Sequence, residues 1–186
     1  MTVELLPLTR KTWPSLESLF SANKTVGGCW CAWYLRDNKD VQSGWGDGNK
    51  AFLHEKVRAD EPLGLLAVED RPFGWVAVAP RARYPRLDRS PISESDAGPD
   101  AWAVTCFFVH RDARRRGLGR TLLDGAVDFA RERGAGVVEA FPVDTEGERR
   151  TSGDLYHGTL TMFLAAGFAL VERRGTRRAL VRRELS

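Results

Sequence analysis

Cys106-Phe107-Phe108-Val109-His110-Arg111-Asp112-Ala113-Arg114-Arg115-Arg116-Gly117-Leu118-Gly119-Arg120 decides how the chain reads. It passes from an apolar run, through a short basic loop, into a start marked by two glycines. Upstream, Trp102 to Val109 is apolar and rich in β-branched and aromatic residues, which predicts a central strand. Downstream, the spacing predicts a helix over Gly117 to Arg133. Leu118, Leu122, Leu123, Ala126, Val127 and Ala130 form its apolar stripe, and Gly134 ends it.

A helix start carries unpaired backbone N–H groups and about half a positive charge. Gly117 and Gly119 have no side chain to hold a ligand away, so the backbone can wrap an anion, and pyrophosphate is the natural fit. Arg114, Arg115 and Arg116 add positive field and phosphate donors. The dinucleotide fingerprint needs three glycines and a later acid, and the P-loop needs Gly-Lys-Ser/Thr. Neither is present.

Working outward, Val3 to Leu8 reads as a strand. Thr9 or Thr12 caps a helix bearing Leu16, Leu19 and Phe20, and Lys50 to Arg58 reads as a second helix. Leu63 to Val68 and Phe73 to Ala79 read as a hairpin turning at Glu69 to Pro72. Pro80 to Pro99 is a long polar loop. Val137 to Phe141 is a strand stopped by Pro142, and Asp144 to Gly158 is a polar loop. Thr159 to Ala166 is a short helix. Phe168 to Glu172 and Ala179 to Glu184 close the chain as strands joined around Gly175. The 186 residues fit one domain, 1–186.

Arg114-x-x-Gly117-x-Gly119 resembles the R/Q-x-x-G-x-G/A element of the GNAT superfamily of N-acetyltransferases. The order of elements is similar over most of the chain, including a late short helix ending in Ala166-Gly167-Phe168. The resemblance implies an α/β (α+β) fold: a mixed, mostly antiparallel central sheet flanked by helices. The sheet would begin with an N-terminal strand and end in a C-terminal hairpin.

It also implies an acetyl-CoA donor, with no metal, and a primary amine acceptor on a small molecule or peptide. The backbone of Phe107, Phe108 and Val109 would pair with the pantetheine arm like an added strand. The segment from Arg114 through Arg115, Arg116, Gly117, Leu118, Gly119 and Arg120 to Thr121 would hold the cofactor, with the amides of Arg115 to Arg120 on the pyrophosphate. The acyl carbonyl would sit in a splay between the strands containing Val109 and Val137. The amine would attack directly, so the protein's part is positioning, oxyanion stabilisation and proton removal.

An attacking amine must be neutral. Glu139 lies inside an apolar strand, where burial makes a carboxylate a stronger base; alternation equally allows a solvent-facing or structural role. Asp144 and His157 are further candidates. The superfamily's usual acid is a tyrosine four residues before the glycine of Gly-Phe. Phe163 stands there and cannot donate a proton; Tyr156 is the available substitute, or only lines the pocket. Without an acid, a thiolate can still leave unaided.

Cys29, Trp30, Cys31 and Trp33 fall where such folds face the acceptor. Cys-x-Cys plus Cys106 gives three thiols, one short of a structural zinc site. The plainer reading is small buried thiols in an aromatic cluster, which Trp45 and Trp75 would join. Net charge is +3 with 42% hydrophobic and 28% charged residues, so the chain is globular and only mildly basic. Neither nucleic acid nor membrane is expected as a partner; a monomer or homodimer in the cytoplasm is. The start at Met1-Thr2-Val3 has no signal-peptide pattern. Two other readings remain open: a catalytically silent acyl-CoA sensor, suggested by Phe163, and a nucleic-acid module using the arginine clusters and tryptophans.

Overall fold

The computed structural model of the protein describes residues 3–24, 26–148, 150–151 and 155–185. Their elements are, in chain order, β1 (Glu4–Pro7), α1 (Trp13–Ser21), α2 (Asn38–Ser43), α3 (Asp47–Arg58), β2 (Gly64–Val68) and β3 (Pro72–Pro80). After them come β4 (Ala101–Val109), α4 (Leu118–Arg131), β5 (Val137–Ala140), α5 (Leu160–Ala165), β6 (Ala169–Arg174) and β7 (Arg178–Glu184). The strands form one sheet in the order β1-β2-β3-β4-β5-β7-β6. Every neighbouring pair is antiparallel except β4 and β5. This is the mixed, mostly antiparallel sheet expected, ending in the β6–β7 hairpin around Gly175.

Each face of the sheet carries its own core. On one face α4 buries Leu122, Leu123, Ala126 and Val127 against Val76, Val78, Val104 and Val138. On the other, α1 and α3 bring Leu16, Phe20, Leu53 and Val57 onto Leu66, Trp75 and Phe108. Removing so much apolar surface from water on both faces is the main force holding the layers.

Three sequence readings are adjusted. The helix expected from Lys50 begins at Asp47. The six-residue α2 was not expected, because six residues carry no periodicity. Thr12 does stand at the start of α1, but it caps no helix N–H; its hydroxyl donates to the Pro7 carbonyl at 2.7 Å.

The long loop from Pro80 to Pro99 is pinned by one buried group. Glu139, on β5, is fully buried. Arg81 Nη1 donates to its Oε1 at 2.5 Å, Ser95 Oγ to its Oε2 at 2.6 Å, and Arg182 Nε to Oε2 at 3.3 Å. Arg81 also reaches the Ser93 carbonyl and Asp88. A buried charge is tolerable only when paired and hydrogen-bonded in this way. Glu139→Ala leaves Arg81 without its buried partner, a loss of roughly 3–5 kcal/mol. For a chain of this size each kcal/mol moves the midpoint by roughly 2–4 °C. Thermal unfolding of that variant is therefore expected at least roughly 6 °C below the parent; an unchanged midpoint would mean that the carboxylate holds nothing.

Candidate active site

The basic loop after β4 folds into a cradle. Arg115 (φ 63°) and Gly117 (φ 76°) both take the left-handed conformation, and α4 begins at Leu118. At Gly117 that conformation favours glycine, and a Cβ built there meets nothing within 4 Å, so the space beside it is open. No side chain caps the helix; the Arg120 and Thr121 N–H groups turn back to the Gly117 carbonyl, and those of Leu118 and Gly119 are left at the helix start. A void of about 350 Å³ lies here, bordered by Ala113, Arg114, Arg115, Gly117, Gly119 and Arg120. Its shape and donor set fit a phosphate group.

The arginines divide. Arg116 is held by Glu69 at 2.6 Å and lies over the Phe73 ring. Arg120 pairs with Asp124 at 2.8 Å and donates to the Ala165 carbonyl at 2.6 Å. Arg114 Nε donates to the Val109 carbonyl at 3.1 Å. Neither Arg116 nor Thr121 borders this void or its larger neighbour, whereas Arg114 and Gly119 border both.

That neighbour, about 560 Å³, opens where two strands part. β4 and β5 pair in parallel from Ala101↔Val137 to Val104↔Ala140 and no further. Beyond that point Phe107, Phe108 and Val109 line the cavity. Phe108 pairs with Trp75 across β3, and His110 N–H donates to the Phe73 carbonyl. Residues 107 and 109 therefore turn their backbone groups toward the gap. Part of this edge is already used: the Phe107 N–H donates to the Tyr156 carbonyl at 2.6 Å, beside the Arg114 bond to Val109.

The opposite wall comes from the Cys-x-Cys segment. Cys29, Cys31, Trp33 and Cys106 line the cavity, with Trp45 and Tyr34. Trp30 does not. Consecutive left-handed residues, Trp30 (φ 49°) and Cys31 (φ 52°), turn the Trp30 ring into the core, stacked on Trp13 at 5.8 Å. Trp75 is core as well. Cys31 Sγ donates to Cys106 Sγ at 3.6 Å. Hydrogen bonding within the cluster, then burial, raise Cys29 and Cys31 above the ordinary thiol range, which keeps them as thiols rather than nucleophiles. Among the described residues no three metal-ligating side chains gather.

The proton-transfer candidates separate too. Glu139 does not line the cavity, and its carboxylate is committed to Arg81, Ser95 and Arg182. Asp144 is likewise off the cavity and pairs with Arg173. Phe163 is fully buried, edge-on to Phe107 at 6.1 Å and Phe168 at 5.0 Å. Tyr156 does line the cavity, and burial raises its phenol above the usual range.

His157 lies just behind, buried, with Nδ1 3.1 Å from the Thr105 carbonyl and Nε2 3.2 Å from the Tyr34 hydroxyl. Tyr34 follows Trp33 in the segment read as facing the acceptor, but no role of its own is legible in the sequence. The contact that distinguishes it spans 123 residues and leaves no local signal.

A model of the acetyltransferase (GNAT) family matches residues 16–157. No curated protein matches the chain. Among solved structures, the PaiA N-acetyltransferase from Thermoplasma acidophilum in complex with coenzyme A is similar, with a TM-score of 0.59 at 13% identity over 100% of both chains. The GNAT domain of S. lividans PAT matches with a TM-score of 0.57 at 19% identity, covering 100% of this chain and 92% of that one. A GCN5-related N-acetyltransferase from Kribbella flavida matches with 0.57 at 18% identity over 98% of each. At such identities the likeness is one of fold.

Burial, and then the nearby Arg178 cation, push His157 down from 6.5 to about 3. The unfolded chain takes up a proton below pH 6.5 that the folded chain refuses until pH nears 3. Stability is therefore intact above pH 6.5 and falls by about 1.4 kcal/mol per pH unit below it. At pH 5 about 2 kcal/mol should be lost on this account. Denaturant midpoints at pH 7 and pH 5 check this: His157→Gln should remove that part of the difference, and an equal drop in both proteins would place the acid sensitivity elsewhere.

Proposed function

The chain belongs to the acetyltransferase (GNAT) family and is an acetyl-CoA-dependent acyltransferase, and from that premise we propose that it acetylates a primary amine by direct attack in a ternary complex. One observation carries this reading: the glycine-started cradle of α4 and the parting of β4 from β5 open into adjoining voids that share Val109, Arg114, Gly119 and Met162. A phosphate-bearing arm anchored at the first would lie with its reactive end in the second.

The roles follow from position. The backbone amides from Arg115 to Gly119 hold the pyrophosphate, helped by the helix field, while the Arg120 N–H is given to the Gly117 carbonyl. The edge of β4 at Phe107 to Val109 aligns the pantetheine arm. In the transfer, the amine nitrogen bonds to the acyl carbon, the carbon–sulfur bond breaks, and sulfur leaves with its electron pair. The proton lost by nitrogen balances the proton gained by sulfur. Tyr156 is the proton donor to sulfur in this scheme: it lines the cavity, and its raised phenol stays protonated at neutral pH. Glu139 takes no part in this scheme, because it is buried off the cavity with its carboxylate held by Arg81, Ser95 and Arg182.

Thermal unfolding with acetyl-CoA, NAD and ATP in parallel tests the cofactor. A ligand at about a hundred times its dissociation constant adds roughly 2.7 kcal/mol, or roughly 5–11 °C here. Only acetyl-CoA should produce the shift, and a shift with NAD or ATP instead would end the reading. Gly117→Glu puts a side chain and a negative charge into the cradle. It should weaken acetyl-CoA binding at least about tenfold, since even one lost charge-assisted contact is worth about 1.4 kcal/mol or more. Normal affinity in that variant would put the phosphates elsewhere. Tight acetyl-CoA binding without turnover of any amine would favour a silent acyl-CoA sensor.

A further inference from the structure

The large cavity holds a hydrogen-bond chain whose direction is fixed. Its inner end is the Thr105 carbonyl, which can only accept. His157 Nδ1 lies 3.1 Å from it, so Nδ1 carries the proton. His157 is buried and neutral at working pH, held so by burial and the Arg178 charge. Its Nε2 is therefore a lone pair, and the Tyr34 hydroxyl 3.2 Å away must donate to it. The phenol's single proton is then spent. Arg178 also bears on that oxygen as a hydrogen-bond donor, so what Tyr34 can offer to the cavity that it lines is the oxygen's remaining lone pair. The ring is braced by T-shaped contacts with His157 at 5.7 Å and Tyr84 at 6.5 Å.

We infer that the Tyr34 hydroxyl oxygen is the acceptor that receives the N–H of the incoming amine, and that this amine is a single amino group on an aromatic or apolar body. The inference rests on the acyl-transfer reading above and specifies its acceptor. The cavity that Tyr34 lines is walled also by Val26, Cys29, Cys31, Trp33, Trp45 and Tyr156, with the polar Gln42 among them, a mainly apolar surface suited to a ring or short alkyl body. The charges nearby point the same way. Arg86 stacks over the Trp33 ring at 3.9 Å, and the positive charge of Arg178 acts on Tyr34, Tyr156 and His157. Two guanidinium groups beside the acceptor end repel a polycation such as a polyamine. They do not repel one neutral amine, which is also the form that attacks. An oxygen lone pair orients that amine without removing its own lone pair from the reaction.

Thiol release from acetyl-CoA, measured on the full chain, tests both halves. Phenylethylamine and tryptamine should be acetylated with kcat/KM at least tenfold above spermidine. Tyr34→Phe removes only the hydroxyl. It should raise the amine KM at least tenfold and leave the acetyl-CoA dissociation constant, read by calorimetry, unchanged. His157→Gln offers an amide that can donate to Thr105 and accept from Tyr34, so it should keep most of the amine affinity; His157→Leu should lose it. Combining Tyr34→Phe with His157→Leu should do no more harm than Tyr34→Phe alone, because both cut one chain. A merely structural tyrosine would give additive losses and an altered acetyl-CoA affinity. If Tyr34→Phe keeps the parent amine KM, or if spermidine is preferred, the inference falls while the acyl-transfer reading stands. If the parent protein fails to bind acetyl-CoA, both fall.

Discussion

The structure depends on how briefly β4 and β5 hold together. They pair in parallel over Ala101–Val104 and Val137–Ala140, and then the ladder stops. Pro142 follows Phe141 and has no N–H with which to continue it. Past that point β4 keeps β3 on one side but leaves β5 on the other, and for five residues polar backbone groups turn toward a gap. Buried backbone groups need partners. The Tyr156-His157 segment supplies some of them, taking the Phe107 N–H and the Thr105 carbonyl. The cavity is thus a consequence of one interrupted ladder. Its floor is β4, its far wall is the Cys-x-Cys segment, and its open end meets the start of α4.

Charge is largely spent inside the protein. Most arginines that give the chain its basic look are engaged within the protein. Arg116 holds Glu69, Arg120 holds Asp124 and a carbonyl of α5, and Arg182 and Arg81 hold Glu139. The buried carboxylate ties β5 to β7 and to the long loop between β3 and β4. It fixes the edge from which the gap opens. In the proposed reading anion binding would fall chiefly to backbone amides of a loop that carries two left-handed residues, Arg115 and Gly117. A count of arginines therefore says little about partners here, while the glycine at the helix start says a good deal.

Much of the fold was legible because its signals are local. The α4 stripe, the Glu69-to-Pro72 turn and the Gly-marked end of α5 each reside in a few consecutive residues. Glu139 was ambiguous because period-two alternation says which residues share a face and nothing about what packs on it. The partners that decided its role, Arg81, Ser95 and Arg182, come from three other segments. Trp30 and Trp33 looked equivalent; the left-handed turn at Trp30 and Cys31 sent one ring into the core and the other to the cavity. Positive φ at a bulky residue has no sequence signature, so this difference could not be read.

The same distinction bears on the missing hydroxyl at position 163. On the sequence, phenylalanine there reads as the loss of an acid. In the structure that ring fills space between Phe107 and Phe168, and the wall formed by α5 is apolar. The phenols of the cavity stand on the other segments, Tyr34 after the Cys-x-Cys turn and Tyr156 in the stretch bonded to β4. They are not equivalent. The Tyr34 proton is committed to His157, which leaves it an acceptor; Tyr156 carries no such commitment to the imidazole, whose two nitrogens are already used by Thr105 and Tyr34. One histidine tautomer thereby fixes the hydrogen-bond direction of Tyr34 and leaves that of Tyr156 unconstrained by the imidazole. In the proposed transfer that difference would let Tyr34 orient the amine and Tyr156 protonate the leaving sulfur, with Glu139 left to its structural partners.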